Sequence, residues 1–85
     1  MDRAELKPLF DTLQRHAGWL GRERTSVTVR AAVQALGAAI DTGVDPSPLL
    51  QELDISIARL PPGELRKILR VGAGEMRRAL ETVSG

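Results

Sequence analysis

Residues 26–42 read SVTVRAAVQALGAAIDT, and the spacing of the apolar residues in this segment indicates how the chain folds. One apolar row recurs at intervals of three and four, which is the period of one face of an α-helix; it comprises Val29, Val33, Leu36 and Ile40. A second row lies beside it and comprises Thr28, Ala32, Ala35 and Ala39. A helix this apolar is either central in its fold or shared with a partner.

The ends of this segment carry helix-terminating residues. Thr25 or Ser26 can cap the N-terminus, and Gly43 is of the type that ends a helix in the left-handed conformation. We therefore predict a helix over residues 26–42. The alternation along residues 25–29 leaves a short strand there as the alternative.

The same period predicts helices on either side of this segment. A first helix is expected to end near Trp19 and to begin at residue 2 or, because Pro8 is tolerated only in a first turn, at residue 7. Asp45 and Pro46 open a third helix that runs to about residue 60. Residues 62–83 are predicted as two helices joined by a turn at residues 71–74, because Gly72 and Gly74 interrupt the apolar period.

The composition agrees with helices packed around a core that contains few aromatic side chains. Hydrophobic residues make up 42% of the 85 residues but aromatic residues only 2%, so Leu, Val, Ile and Ala must form the core. There is no cysteine, which excludes disulfides and thiolate metal sites. We predict a single all-α domain over residues 1–85, a compact bundle of four to five short helices.

Residue types that support catalysis are scarce. His16 is the single histidine, and nothing in the sequence places a nucleophile and an orienting carboxylate beside it, so it is interpreted as a polar residue beside an apolar stripe. No zinc or calcium ligand spacing is present. We expect no enzyme activity, no cofactor, no metal and no small-molecule substrate.

Two features concern location and origin. No apolar run approaches the roughly 20 residues that cross a bilayer, and the N-terminus leads into no signal-peptide stretch, so we expect no membrane insertion and a cytoplasmic location. Ten arginines against two lysines indicate a GC-rich genome, which favours a bacterium or its phage.

Basic residues concentrate towards the C-terminus. Residues 1–58 carry six basic and eight acidic residues, a balance of −2, whereas residues 59–78 carry six basic and two acidic residues, a balance of +4. This segment could contact phosphates or an acidic protein surface. The candidate contacts are Arg66, Lys67, Arg70, Arg77 and Arg78.

Residues 64–83 resemble a helix-turn-helix. Apolar residues match the buried pattern of that family, namely Leu65, Leu69, Val71, Met76 and Ala79, with residues 72–74 as the turn. The resemblance implies a DNA-binding recognition helix that carries Arg77 and Arg78, with Lys67 and Arg70 on the DNA backbone. The sequence departs from the family at Arg66, where a small residue is usual, and at Arg70, where glycine is usual. The alternative is a helical hairpin with solvated arginines.

The segment at residues 26–42 also predicts association. One neighbour cannot easily cover both apolar rows in so short a chain, so a symmetric homodimer is expected, with a monomeric bundle as the alternative. Trp19, at a glycine-flanked helix end, is either an interface anchor or a cover for the end of the core. The predicted interface comprises Trp19, Val29, Ala32, Ala35, Leu36 and Ala39.

These observations lead to one functional hypothesis and one alternative. We expect a non-enzymatic protein-interaction module or small regulator that self-associates and binds a larger protein partner. The alternative is a DNA-binding regulator that uses residues 64–83.

Overall fold

The chain is all-α, as the sequence predicts. The computed structural model describes the backbone of residues 5–84 and the side chains of residues 5–82. Within this range there is no strand, and the four helices are α1 (Leu6–Ala17), α2 (Arg24–Thr42), α3 (Ser47–Ala58) and α4 (Glu64–Ser84). The strand alternative at residues 25–29 is wrong, because these residues lie in α2.

The four helices form a closed ring. Consecutive helices pack against each other, and α4 returns to pack against α1, which places α2 across the ring from α4. α1 and α4 are antiparallel: Leu9 lines the same depression as Thr82, whereas His16 lines one with Glu64. The ring is therefore closed by the first and last helices.

One hydrophobic core fills the ring, and every helix contributes to it. Val29, Val33 and Leu36 of α2 are almost completely buried, as are Leu6 and Leu13 of α1. α3 and α4 add mainly Leu50, Leu53, Ile57, Leu69 and Met76. The apolar row predicted for α2 therefore faces the centre of the chain's own core.

The helix starts differ from prediction for identifiable reasons. α2 begins at Arg24, so the capping role assigned to Thr25 or Ser26 is wrong; the residue before the helix is Glu23, whose backbone is extended. Pro8 is accepted because it lies in the first turn of α1, where its missing N–H has no helical acceptor. Residues 2–4 of the predicted lead-in lie outside the described residues. Gly43 ends α2 with a positive φ of 78°, as predicted.

α4 is one continuous helix, so the predicted turn at residues 71–74 is wrong. Ala73 is completely buried, and a Cβ added to Gly72 would lie 3.3 Å from Leu13 Cδ1 of α1. Packing of this stretch against α1 and the core offsets the cost of about 1 kcal/mol that each helical glycine carries. The chain consequently has four helices rather than five within the described residues.

α1 and α2 approach closely at Gly37. A Cβ built on this glycine would overlap the Phe10 Cζ atom, and Phe10 is itself buried. The ring of Phe10 thus occupies the space that any side chain at position 37 needs. Only glycine allows α1 to pack at this depth.

We predict that Gly37→Ala lowers the free energy of unfolding by about 1–3 kcal/mol, because the new methyl group overpacks against the ring. The loss is expected although alanine is the better helix former by about 1 kcal/mol. Chemical denaturation followed by circular dichroism measures it. In a Phe10→Leu background the same substitution should cost much less. An equal cost in both backgrounds contradicts the assigned contact.

Glu23 makes the local contacts that begin α2. Its Oε2 atom accepts a hydrogen bond from the Ser26 hydroxyl at 3.1 Å. The pKa of Glu23 is lowered from its ordinary value of 4.5, first by a hydrogen bond from its own backbone N–H and then by the hydrogen bond from Ser26; burial opposes this shift, and the charge of Arg30 adds a still smaller lowering effect. The folded state therefore favours the ionised carboxylate.

This lowered pKa predicts a pH dependence. The contribution of Glu23 to stability is fully present above its ordinary pKa and is lost as the pH falls through the lowered value. Glu23→Gln should therefore be less stable than the parent chain at neutral pH, and the difference should shrink as the pH falls below the ordinary pKa of 4.5. Thermal unfolding of both proteins across this range tests the sign. A stability difference that stays constant with pH contradicts it.

Candidate functional site

An apolar groove lies between α1 and α4. It encloses about 460 Å³. We call it the α1–α4 groove, and its lining comprises Thr12, His16, Glu64, Lys67, Ile68, Val71, Gly72 and Glu75. A shallower depression continues it past Glu75 towards Leu9 and Thr82.

The sequence builds this groove through the continuity of α4. Because the helix does not break at residues 71–74, Val71 falls on its outer side and is 58% exposed. Gly72 carries no side chain to fill the space above Leu13, which leaves a depression there. The groove is thus bordered by an apolar residue that the chain's own core does not use.

Trp19 stands beside one end of the groove. Its ring packs edge-on against the ring of His16, with 5.0 Å between the ring centroids and 65° between the planes. Trp19 is nevertheless 62% exposed, so the alternative that it covers the end of the core is wrong. The one tryptophan of the protein therefore lies next to the apolar α1–α4 groove.

Charged residues of both signs follow the α4 side of the groove. Glu64, Lys67 and Glu75 line it, and Arg78 lines its shallower continuation. None of these four forms an ion pair with another described residue. Their charges are therefore free to meet those of a docked molecule.

The basic residues predicted as contacts divide into two groups. Two of them bind within the fold: Arg66 Nη1 donates to the backbone carbonyl of Leu60 at 3.3 Å, and Arg77 forms an ion pair with Asp54 of α3. Lys67, Arg70 and Arg78 are exposed, and within the described range they have no ion-pair partner. The turn that a helix-turn-helix requires is missing, so the five residues do not surround a recognition helix.

The interface predicted on α2 needs a correction. Val29 and Leu36 are 0% exposed and Ala39 is buried, so the chain's own helices cover them and a second molecule cannot. Ala32 is half-buried and Ala35 is exposed. Helical periodicity predicted the apolar rows correctly, but α1 and α3 flank α2 on both sides and cover more of it than expected.

The groove does not assemble the elements of a catalytic site. Among residues 5–82, His16 forms no hydrogen bond or ion pair with another side chain, and its ring contact is with Trp19. Thr12 also lines the groove, four residues before His16 in the sequence. Its hydroxyl donates a hydrogen bond to the backbone carbonyl of Pro8. Residues 5–84 contain no cluster of three potential metal ligands. A base oriented towards a nucleophile is therefore not formed here.

Sequence reasoning missed most of the groove. His16, Lys67 and Trp19 were singled out, but Thr12, Ile68 and Glu75 were not. Val71 was assigned to the buried pattern of a helix-turn-helix and is exposed instead. If α4 is taken as unbroken, the helical period places Val71 on the polar side, and that isolated apolar residue is the signal for the groove.

Comparison with known proteins adds no relative. No protein-family model, curated protein or solved structure matches this chain. None of the described helices combines the length and the apolar character that spanning a bilayer requires.

Proposed function

We propose that this chain is a non-enzymatic protein-interaction module, a small cytoplasmic regulator from a bacterium or phage that self-associates and binds a larger protein partner. The observation that carries the proposal is the α1–α4 groove with Val71 and Trp19 exposed beside it. Large apolar side chains clustered around an apolar depression are typical of protein-binding surfaces. Scattered single apolar residues would not support the same inference.

Self-association is assigned to the α1–α4 side of the molecule. An 85-residue domain hides only a modest fraction of its surface, so covering Val71 and Trp19 adds apolar burial that the single chain lacks. A symmetric dimer doubles every such contact. The homodimer expected from the sequence is retained, but on α4 rather than on the buried rows of α2.

The larger partner is assigned to the outer face of α2. This face comprises the exposed residues Val27, Ala31, Ala35 and Ala38, and Ala35 is the one among them that belongs to the interface predicted from the sequence. Because α2 lies across the ring from α4, both surfaces can be occupied at once. Small side chains on such a face permit close approach of another backbone.

DNA binding is the second candidate function. It is favoured by Lys67, Arg70 and Arg78, which are exposed on α4 without ion-pair partners in the described range. Phosphate contacts by such residues give binding that weakens steeply as salt rises. The absence of a helix-turn-helix turn removes the geometry that would read base edges.

Light scattering on the full chain tests the proposed function. We predict a molar mass of twice the chain mass of 9.2 kDa. Val71→Glu should shift it towards the single-chain value, because it places a charge in an apolar contact. Ile55→Glu on α3 is the matched control, since Ile55 is 51% exposed and lies outside the groove.

Two outcomes count against this proposal. A single-chain mass at all accessible concentrations contradicts self-association. A generic DNA duplex that is bound at low salt, released at high salt and no longer bound by the Arg70→Ala, Arg78→Ala double variant favours the second candidate.

A further inference from the structure

The outer face of α4 carries an ordered row of charges around one apolar residue. Glu64, Lys67, Glu75 and Arg78 border the α1–α4 groove and its continuation, and Val71 lies at the middle of the row. All four charged side chains are exposed and lack ion-pair partners in the described part of the chain. The charges of this row are therefore not neutralised by ion pairs with other described residues of the same chain.

Residues of this row that lie equally far before and after Val71 carry opposite charges. Lys67 and Glu75 lie four residues before and after Val71, and Glu64 and Arg78 lie seven residues before and after it. With a rise of about 1.5 Å per residue, the inner pair lies about 6 Å and the outer pair about 10 Å from Val71 along the helix. Reversing the helix therefore exchanges each acidic residue with a basic one.

We propose that a second copy of this chain docks on the outer face of α4, so that the two α4 helices run antiparallel about a two-fold axis at Val71. This inference rests on the proposed self-association and specifies its register. In this arrangement Lys67 shares a layer with Glu75 of the second copy, and Glu64 shares one with Arg78 of the second copy. Two-fold symmetry forms each pair twice, which gives four ion pairs around a central contact between the two Val71 side chains.

The uncharged residues of the face fit the same register. Inversion about Val71 places Ile68 in one layer with Gly74 of the second copy. Apart from the local backbone of α4, no atom lies within 4 Å of where a Cβ of Gly74 would be, so this layer is not crowded by the chain's own side chains. Small residues opposite large ones allow two helices to approach closely.

Other arrangements of the same two helices are disfavoured by charge. A parallel two-fold pair would place Lys67 against Lys67 and Glu75 against Glu75, and like charges in one layer repel. Exposed ion pairs contribute little to affinity individually, but they select orientation and register effectively. The charge row thus specifies how the copies meet, and the apolar groove supplies the burial.

Trp19 flanks this contact. His16 and Trp19 lie on the α1 side of the first turns of α4, near Glu64 and Ile68. In an antiparallel pair, these turns face the C-terminal half of α4 in the second copy. Each copy therefore places its exposed indole ring beside the other copy's helix.

Charge exchange tests the register. Lys67→Glu and Glu75→Lys, each as a pure protein, should weaken dimerisation about tenfold or more, because two attractive layers become repulsive. An equimolar mixture of the two variants should associate again to within about threefold of the parent chain, since every layer then joins opposite charges. Sedimentation equilibrium measures all three affinities.

Two controls match these variants. Arg70→Glu changes the net charge as Lys67→Glu does, and Glu81→Lys matches Glu75→Lys; both residues are exposed on α4 and lie outside the row. Neither control should change the dimer affinity by more than about threefold. Circular dichroism confirms that all variants keep the parent helix content.

The results separate this inference from the proposed function. Loss of association in both single variants with recovery in the mixture supports the register. A parent dimer that both variants leave intact, or a mixture that stays monomeric, overturns the register but leaves self-association standing. A parent chain that is monomeric throughout overturns both.

Discussion

The constraint on which this structure depends is that one chain closes a ring of four helices around a core centred on the apolar row of α2. Val29, Val33 and Leu36 have no accessible surface left, and Gly37 admits the ring of Phe10 so that α1 can seal the interior. Burial of such side chains stabilises a fold by about 1.5–3 kcal/mol each, so the apolar row of α2 is the centre of the chain's stability. Of that row only Ile40 is not fully buried; it is half-buried and packs against the core.

This closure determines where association can occur. Any partner must bind to side chains on the outside of the ring, and among the described residues the most exposed of the large apolar ones are Trp19 and Val71, beside the α1–α4 groove. The charges around Val71 then matter for orientation, because they lie at the surface and lack counterparts within the described residues. In this account folding uses the inner faces of the helices, whereas self-association uses the outer face of α4.

Helical periodicity predicted much of the fold because the apolar rows are regular. The body of α2, its end at Gly43 and the start of α3 near Asp45 are confirmed; Asp45 Oδ1 accepts a hydrogen bond from the backbone N–H of Ser47. Periodicity gives the face of a helix that is apolar, and an apolar face must be buried. It says less about how many neighbours cover that face.

The errors of the sequence-based predictions arise because periodicity does not show which neighbouring helices pack against a segment. The break predicted at Gly72 and Gly74 followed from local propensity, but burial of Ala73 and the contact of Gly72 with Leu13 keep α4 continuous. The predicted break also led to Val71 being predicted as buried, although its side chain is exposed. The α2 interface was misplaced because a single neighbour was assumed where α1 and α3 both pack against the helix. Tertiary contacts determine each of these features, and such contacts cannot be predicted from the spacing of residues along the sequence.

The central claim is that the core closes within one chain and that association is confined to the outside. A dilution series of the parent protein, with molar mass and far-ultraviolet circular dichroism recorded on the same samples, tests it most directly. We predict that the mass falls to that of one chain while the helical signal stays constant. A loss of helical signal that follows the fall in mass would show that the fold itself needs the second copy, and would contradict the account.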